Sequence, residues 1–296
     1  MRPRILLIFI VFLSVHVQAQ RVDWLKIRKY RTSVLSDSLK ENSGLSFLNG
    51  KLYTINDSGN SSEIFELDPE NGEITRKIET GLINKDWEAI TADEEYFYIG
   101  DFGNNKGNRE DLKIYRIRKD SVQDFREIPF QYPQQKEFLK KSHRNNWDAE
   151  CLIFRDGFLH LFTKEWQSYQ TTHYRLDPVK YEEIQHAEKL ETYDLGYLAT
   201  DAAYFKNHLY IIGYTKKLEV YLTIFQEDET GYFFSQKPKK YYLGNALSLG
   251  QIEGIEVDES GIFISGEAFH FKLFRKPPSF YFIPKDKLDF WELTRT

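Results

Sequence analysis

The chain has 296 residues, 16% of them aromatic, a net charge of −5 and a single cysteine, Cys151. One cysteine excludes an intrachain disulfide, and the modest acidic balance gives no footing for a nucleic-acid partner. An aromatic-rich chain of this length, without disulfides, must be held by a sizeable core, and its composition favours β structure.

The first twenty residues read MRPRILLIFIVFLSVHVQAQ. A basic start, a short apolar run from Ile5 to Val15 and small residues around Ala19 form the order of a secretory signal peptide. The run is shorter than the roughly 20 residues that span a bilayer, and no later stretch qualifies. The expectation is a cleaved signal peptide over residues 1–19. A single secreted or periplasmic domain without a transmembrane segment then covers residues 20–296.

A strand-like stretch, WLKIRKYRTSV, comes next, followed by five units that share one pattern. They begin SGLSFLNGKLYTINDSG at Ser43, EAITADEEYFYIGDFG at Glu88, DAECLIFRDGFLHLFTKEW at Asp148, DAAYFKNHLYIIGYTKK at Asp201 and EGIEVDESGIFISGEAF at Glu253. Each has a polar residue, a small residue, an apolar strand, a turn and a second strand of alternating apolar residues. Third strands follow (EIFELD, LKIYRIRKD, THYRLD, EVYLTIF, SFYFIPKD), and four units carry a fourth. Repeats of four strands, spaced 45, 60, 53 and 52 residues apart, predict propeller blades. The expected fold is all-β, a five-bladed β-propeller closed by the N-terminal strand, with a six-bladed ring as the alternative. Helical signal is confined to Gln134–Lys141 and parts of the C-terminal tail.

In a propeller the innermost strands line a central channel. Ser43, Glu88, Asp148, Asp201 and Glu253 are therefore expected to ring one mouth. Four carboxylates facing a narrow channel repel one another at low dielectric. A hard cation with oxygen ligands, calcium above all, relieves that repulsion. The plain alternative is that these groups bond to backbone amides of the next blade and lock the ring. A second ring at the ends of the second strands aligns Asp57, Asp101, Lys164, Tyr214 and Glu267. Asp57 and Asp101 are the candidate catalytic carboxylates, although Asp before Gly is also ordinary turn chemistry. Lys164, Tyr214 and Glu267 are candidate substrate-binding groups. A basic link, YPQQKEFLKKSHRNN, adds Lys140 and Arg144 as candidate lid residues over the mouth. No Gly-x-Ser-x-Gly elbow, zincin motif, P-loop or dinucleotide fingerprint is present.

SGLSFLNGKLYTINDSGNSSEIFEL and DWEAITADEEYFYIGDFGNN resemble the opening blades of the calcium-dependent nucleotidases (apyrases). Those are five-bladed propellers that hydrolyse nucleoside di- and triphosphates. DAECLIFRDGFLHLFTKEW and IEGIEVDESGIFISGE are similar to a middle and the last blade of that family. The resemblance implies Ser43, Glu88 and Asp148 (or Glu150) near an axial calcium, and Asp57 and Lys164 in a nucleotide pocket.

Three functions follow as expectations. The first is a calcium-dependent hydrolase of a small phosphorylated or carboxylated substrate. The second is a glycan-active or glycan-binding propeller, with Trp87, Trp147 and Trp166 near the working face. The third is a non-catalytic envelope or extracellular interaction propeller. The protein is expected to act as a monomer on a small-molecule or glycan ligand.

Overall fold

The structure, a computed structural model, describes residues 21–271 and 273–288. The signal peptide expected over residues 1–19 and the last residues of the tail lie outside them.

Five antiparallel sheets form the blades. Blade 1 takes Asn42–Leu48, Lys51–Asn56, Glu63–Leu67 and Ile74–Glu79. Blade 2 takes Trp87–Ala92, Tyr96–Asp101, Lys113–Arg118 and Ser121–Gln131. Blade 3 takes Asp148–Arg155, Phe158–Lys164, Gln170–Leu176 and Glu188–Asp194. Blade 4 takes Leu198–Phe205, His208–Tyr214, Glu219–Gln226 and Lys239–Asn245. Blade 5 takes Gln251–Asp258, Gly261–Glu267 and Ser279–Pro284, and its outer strand is Arg31–Val34 from the N-terminal stretch. Five blades with this closure leave no place for a sixth. The first strands pack in cyclic order, each on the next and the last on the first.

Local chemistry explains the hairpins. Asn49-Gly50, Asp156-Gly157 and Lys206-Asn207 all have positive φ at both positions, the geometry that matches strand twist in two-residue turns. The inner strands are buried on both faces, so the core divides into five apolar seams, one per blade interface. Between blades 1 and 2, for example, Trp87, Ile90, Phe97 and Tyr115 pack on Tyr53, Ile55 and Ile64. Each fully buried aromatic or aliphatic side chain contributes about 1.5–3 kcal/mol, which replaces what disulfides supply elsewhere.

Two outer edges are covered by added parallel strands. Val22–Trp24 lies along the edge of blade 4, and Gln185–His186 along that of blade 2. Both remove an open row of backbone donors and acceptors. The segment Gln134–Lys141 is not helical. The chain here is anchored sideways on the blade 2 loop. Gln135 donates to the Gly107 carbonyl at 3.0 Å, and the Lys141 and His143 amides donate to Lys106 and Asn105 at 2.8 and 2.9 Å. Bonds to a facing loop take the place of the i−4 bonds a helix needs. The only α-helix among the described residues is the short Ala246–Leu249.

Candidate functional site

Every inner strand carries a β-bulge near its start. In blade 2 Trp87 pairs with Asp101 and Ala89 with Gly100, so Glu88 is the extra residue. The same count makes Glu150, Thr200 and Glu253 the extra residues of blades 3, 4 and 5. In blade 1 the irregularity falls between Ser43 and Ser46, where Gly44 has φ +69°. A Cβ on Gly44 would lie 2.8 Å from the Ile90 amide nitrogen, so only glycine fits this approach of blade 1 to blade 2. A bulge re-aims a side chain without breaking the apolar pattern. The expected alignment is therefore corrected in two blades: Glu150 and Thr200, not Asp148 and Asp201, are equivalent to Glu88.

A cavity of about 250 Å³ opens at this end of the channel. Ser43, Asp57, Glu88, Lys164, Tyr214, Glu253 and Glu267 all line it, as do Glu150, Asn42, Asn105, His143, Trp166 and Gln251. The remaining sequence candidates lie elsewhere. Asp201 is fully buried deeper in the channel, where its Oδ2 accepts from the Ile255 amide at 2.7 Å and the Leu45 amide at 3.2 Å. It staples blade 4 to blades 5 and 1. Asp101 is buried behind the mouth in an ion pair with Arg109 at 2.8 Å. Its register partner Trp87 precedes the bulge, as Ala149 does opposite Thr163. Asp101 is thus equivalent to Thr163, and the true counterpart of Lys164 in blade 2 is the core residue Phe102. Lys140 and Arg144 are exposed and line neither the cavity nor its neighbour. From that loop His143 reaches the cavity, edge-on to Trp166 at 4.4 Å between ring centroids.

The hydroxyls on the ring act as blade locks. Ser43 Oγ donates to the Glu88 carbonyl at 2.6 Å, and Thr200 Oγ1 to the Ile252 carbonyl at 2.8 Å. The carboxylates are arranged differently. Asp57, Asp86 and Glu88 bring ligand oxygens within 4.8 Å of one another, and so do Glu88, Asp148 and Glu150. Either group is close enough to hold a metal ion. Asp86 was not among the sequence candidates, yet the string KDWEAI shows it two residues before Glu88. Both carboxylates lie against Gly103. Gly103 lets this happen: a Cβ there would sit 2.2 Å from Glu88 Oε1 and 2.5 Å from Asp86 Oδ2.

Electrostatics at the mouth follow from burial. Glu88 is pushed well above the ordinary carboxylate range, first by burial and then by Glu150, Asp57, Asp148 and Asp86. Asp57 is raised to about 7 by burial, with Asp86 and Glu253 adding to it. Glu267 is raised to about 9 by burial and then by Glu253 and Asp57. Asp148 is also raised by burial, although Lys164, the Asn104 amide at 2.6 Å and Trp166 Nε1 at 2.7 Å all favour its charge. Among the described residues Lys164 is the one lysine or arginine lining the cavity, and it is paired with Glu150. Burial works against its charge, but Glu150, Tyr214, Glu253 and Asp148 outweigh that and hold its pKa well above the usual lysine value.

A second cavity, of about 600 Å³, adjoins the first and shares Asn105 with it. Asp86, Lys85, Lys106 and Arg109 are among the residues that line it. Asp86 and Glu88, from one triad, thus face neighbouring cavities.

No family model matches the chain, and no curated protein matches it in sequence. Among solved structures it is similar to the exo-β-1,3-galactanase of Phanerochaete chrysosporium. With galactose bound, that enzyme superposes with TM-score 0.51 at 12% identity over 92% of this chain. A variant of it holding β-1,3-galactotriose gives TM-score 0.52 at 10% identity over 89% of this chain. The chain spans 65% of the length of each. At such identities the likeness shows the propeller fold alone. Among the described residues no helix is long and apolar enough to cross a membrane.

Proposed function

We propose that this is an exported, calcium-dependent hydrolase whose substrate is small and anionic, phosphorylated or carboxylated, and binds at the bulged mouth of the channel. The observation that carries the reading is the pair of carboxylate triads meeting at Glu88, beside a cavity that Lys164 also lines. Oxygen-only ligands at close range suit a hard divalent cation. The triad residues would hold the ion, which when bound polarises a substrate oxygen.

The chain's own residues supply the rest. Asp57, a member of one triad, lines the cavity and would orient the attacking water beside the ion it helps to hold. Lys164, locked as an ammonium against Glu150, stands by negative charge that develops on the substrate. Asp101, with its Arg109 pair, takes no part. Lys106 and Lys85 in the adjoining cavity give an anionic substrate its positive contacts. A panel of nucleoside di- and triphosphates, sugar phosphates and lactones tests the reading. Turnover of at least one member is expected, with loss on chelation and a fall of two orders of magnitude or more in Asp57→Asn. Full turnover in excess chelator would sink it.

A second reading takes an oligosaccharide. It is favoured by Trp166 and Tyr214 in the cavity wall and by Glu267, an acid still protonated at neutral pH and able to protonate a leaving oxygen. Oligosaccharide cleavage that persists in chelator would favour this reading over the first.

A further inference from the structure

We infer that the mouth holds two divalent cations, with Glu88 as the carboxylate that bridges them. This rests on the reading of the mouth as a cation site and goes beyond a single axial ion. One ion falls to Asp57, Asp86 and Glu88, the other to Glu88, Asp148 and Glu150. The groups share one residue, and a carboxylate has two oxygens, so Glu88 serves both ions without choosing. Carboxylate-bridged pairs of this kind clamp two oxygens of one substrate group.

Charge favours a second ion. Asp57, Asp86, Glu88, Asp148, Glu150, Glu253 and Glu267 bring seven carboxyls to the mouth against the Lys164 ammonium. When all are ionised, one divalent cation and Lys164 leave four negative charges uncompensated, and a second cation halves that. In a buried site of low effective dielectric the difference is large.

An independent observation points to a ligand at this mouth. Asn42 is fully buried and lines it. Both of its amide hydrogens are spent, on the Leu39 carbonyl at 2.9 Å and the Gly266 carbonyl at 3.1 Å. That fixes which way the amide faces, and its Oδ1 meets no donor among the described residues. A buried carbonyl without a partner is costly. A cation, or water carried on one, supplies what it lacks. The side-chain amide oxygen of Asn105, a residue common to both cavities, is likewise buried and meets no donor among the described residues.

The test is stoichiometry on the full chain stripped with chelator and titrated with Ca²⁺ by calorimetry and native mass spectrometry. Two ions per chain are expected. Mn²⁺ loaded in their place should give the exchange-coupled electron paramagnetic resonance signal of a carboxylate-bridged pair. Asp86→Asn should keep one ion and lose the coupling, and Glu88→Gln should lose the coupling as well. One ion per chain, or two Mn²⁺ ions without coupling, would overturn the inference and leave the single-ion reading standing. No ion at all would overturn both. The wild-type count and the coupling do not depend on any variant folding.

Discussion

The two mouths of the channel are made from opposite ends of the same five strands, yet they treat charge differently. At the far mouth, a cavity of about 290 Å³ is lined by Leu45, Phe47, Leu152, Phe154 and Tyr204, with Glu256 and Asp258 among its acids. Glu256 is given donors: the Phe47 amide at 2.9 Å and the Val257 amide at 2.8 Å. Asp201, midway along, is likewise satisfied by backbone. At the bulged mouth the carboxylates face one another instead: Asp57, Asp148, Glu150 and Glu253 each have a donor, but Glu88 at their centre has none among the described residues. An acid in a propeller channel is therefore not a site by virtue of being there. What separates a ligand from a blade lock is whether the protein has already supplied its hydrogen bonds.

That contrast breaks first at Asp201. Asp201→Ala strands two buried amides from different blades, and about 3–5 kcal/mol of stability should go, read from urea unfolding midpoints. Calcium-dependent stabilisation should survive in whatever folds. If Asp201→Ala instead abolished calcium binding with little loss of stability, the division into locks and ligands would be wrong.

The next effect is calcium itself. At a hundredfold excess over Kd, linkage contributes about 2.7 kcal/mol per ion. For a domain of this size that raises Tm by about 5–10 °C in a thermal melt. Glu88→Gln should lose the rise and Glu256→Gln should keep it. Equal loss in both would erase the distinction between the mouths.

A finer test is Gly103→Ala. The three atoms nearest the added methyl all belong to these two flexible carboxylates, so the fold should stand while calcium affinity falls about tenfold or more, about 1.4 kcal/mol. Unchanged affinity by calorimetry would mean that the two carboxylates do not act together.

The smallest effect is a slope in pH at the far mouth. Glu256 is raised from an ordinary 4.5 to about 7, by burial against the pull of the Val257 and Phe47 amides. A carboxyl with a raised folded pKa binds its proton more tightly when native. Its contribution is thus complete below 4.5, is lost as pH rises to about 7, and is constant above. The difference in stability between wild type and Glu256→Gln should follow that curve. A difference that grows above pH 8 would contradict the assignment.

Much of this was legible in the chain. Alternating apolar residues and the Asn-Gly and Asp-Gly turns are local signals, and they led to five blades and to the Arg31–Val34 closure. Seven of the residues picked as candidates, among them Glu88, Asp57 and Lys164, line one cavity. The misplacements share a cause. A bulge adds a residue without disturbing the apolar pattern, so the letters put Asp148, Asp101 and Asp201 one position out of register, although Asp148 still comes within reach of Glu88. Asp86 was passed over because it sits outside its strand, and the helix expected at Gln134–Lys141 gave way to bonds with a loop far away in sequence.

By itself, then, the sequence determined what depends on neighbours a few residues apart: strand period, turn chemistry, the repeat and the number of blades. The tertiary structure decided which acids are spent and which are open. Asp201 meets Leu45 and Ile255 from other blades, whereas Glu88 meets Asp57, Asp148 and Glu150 and, among the described residues, no compensating donor. A carboxylate's role is set by the groups within a few ångströms of it, and in a closed ring those come from strands far apart in the chain.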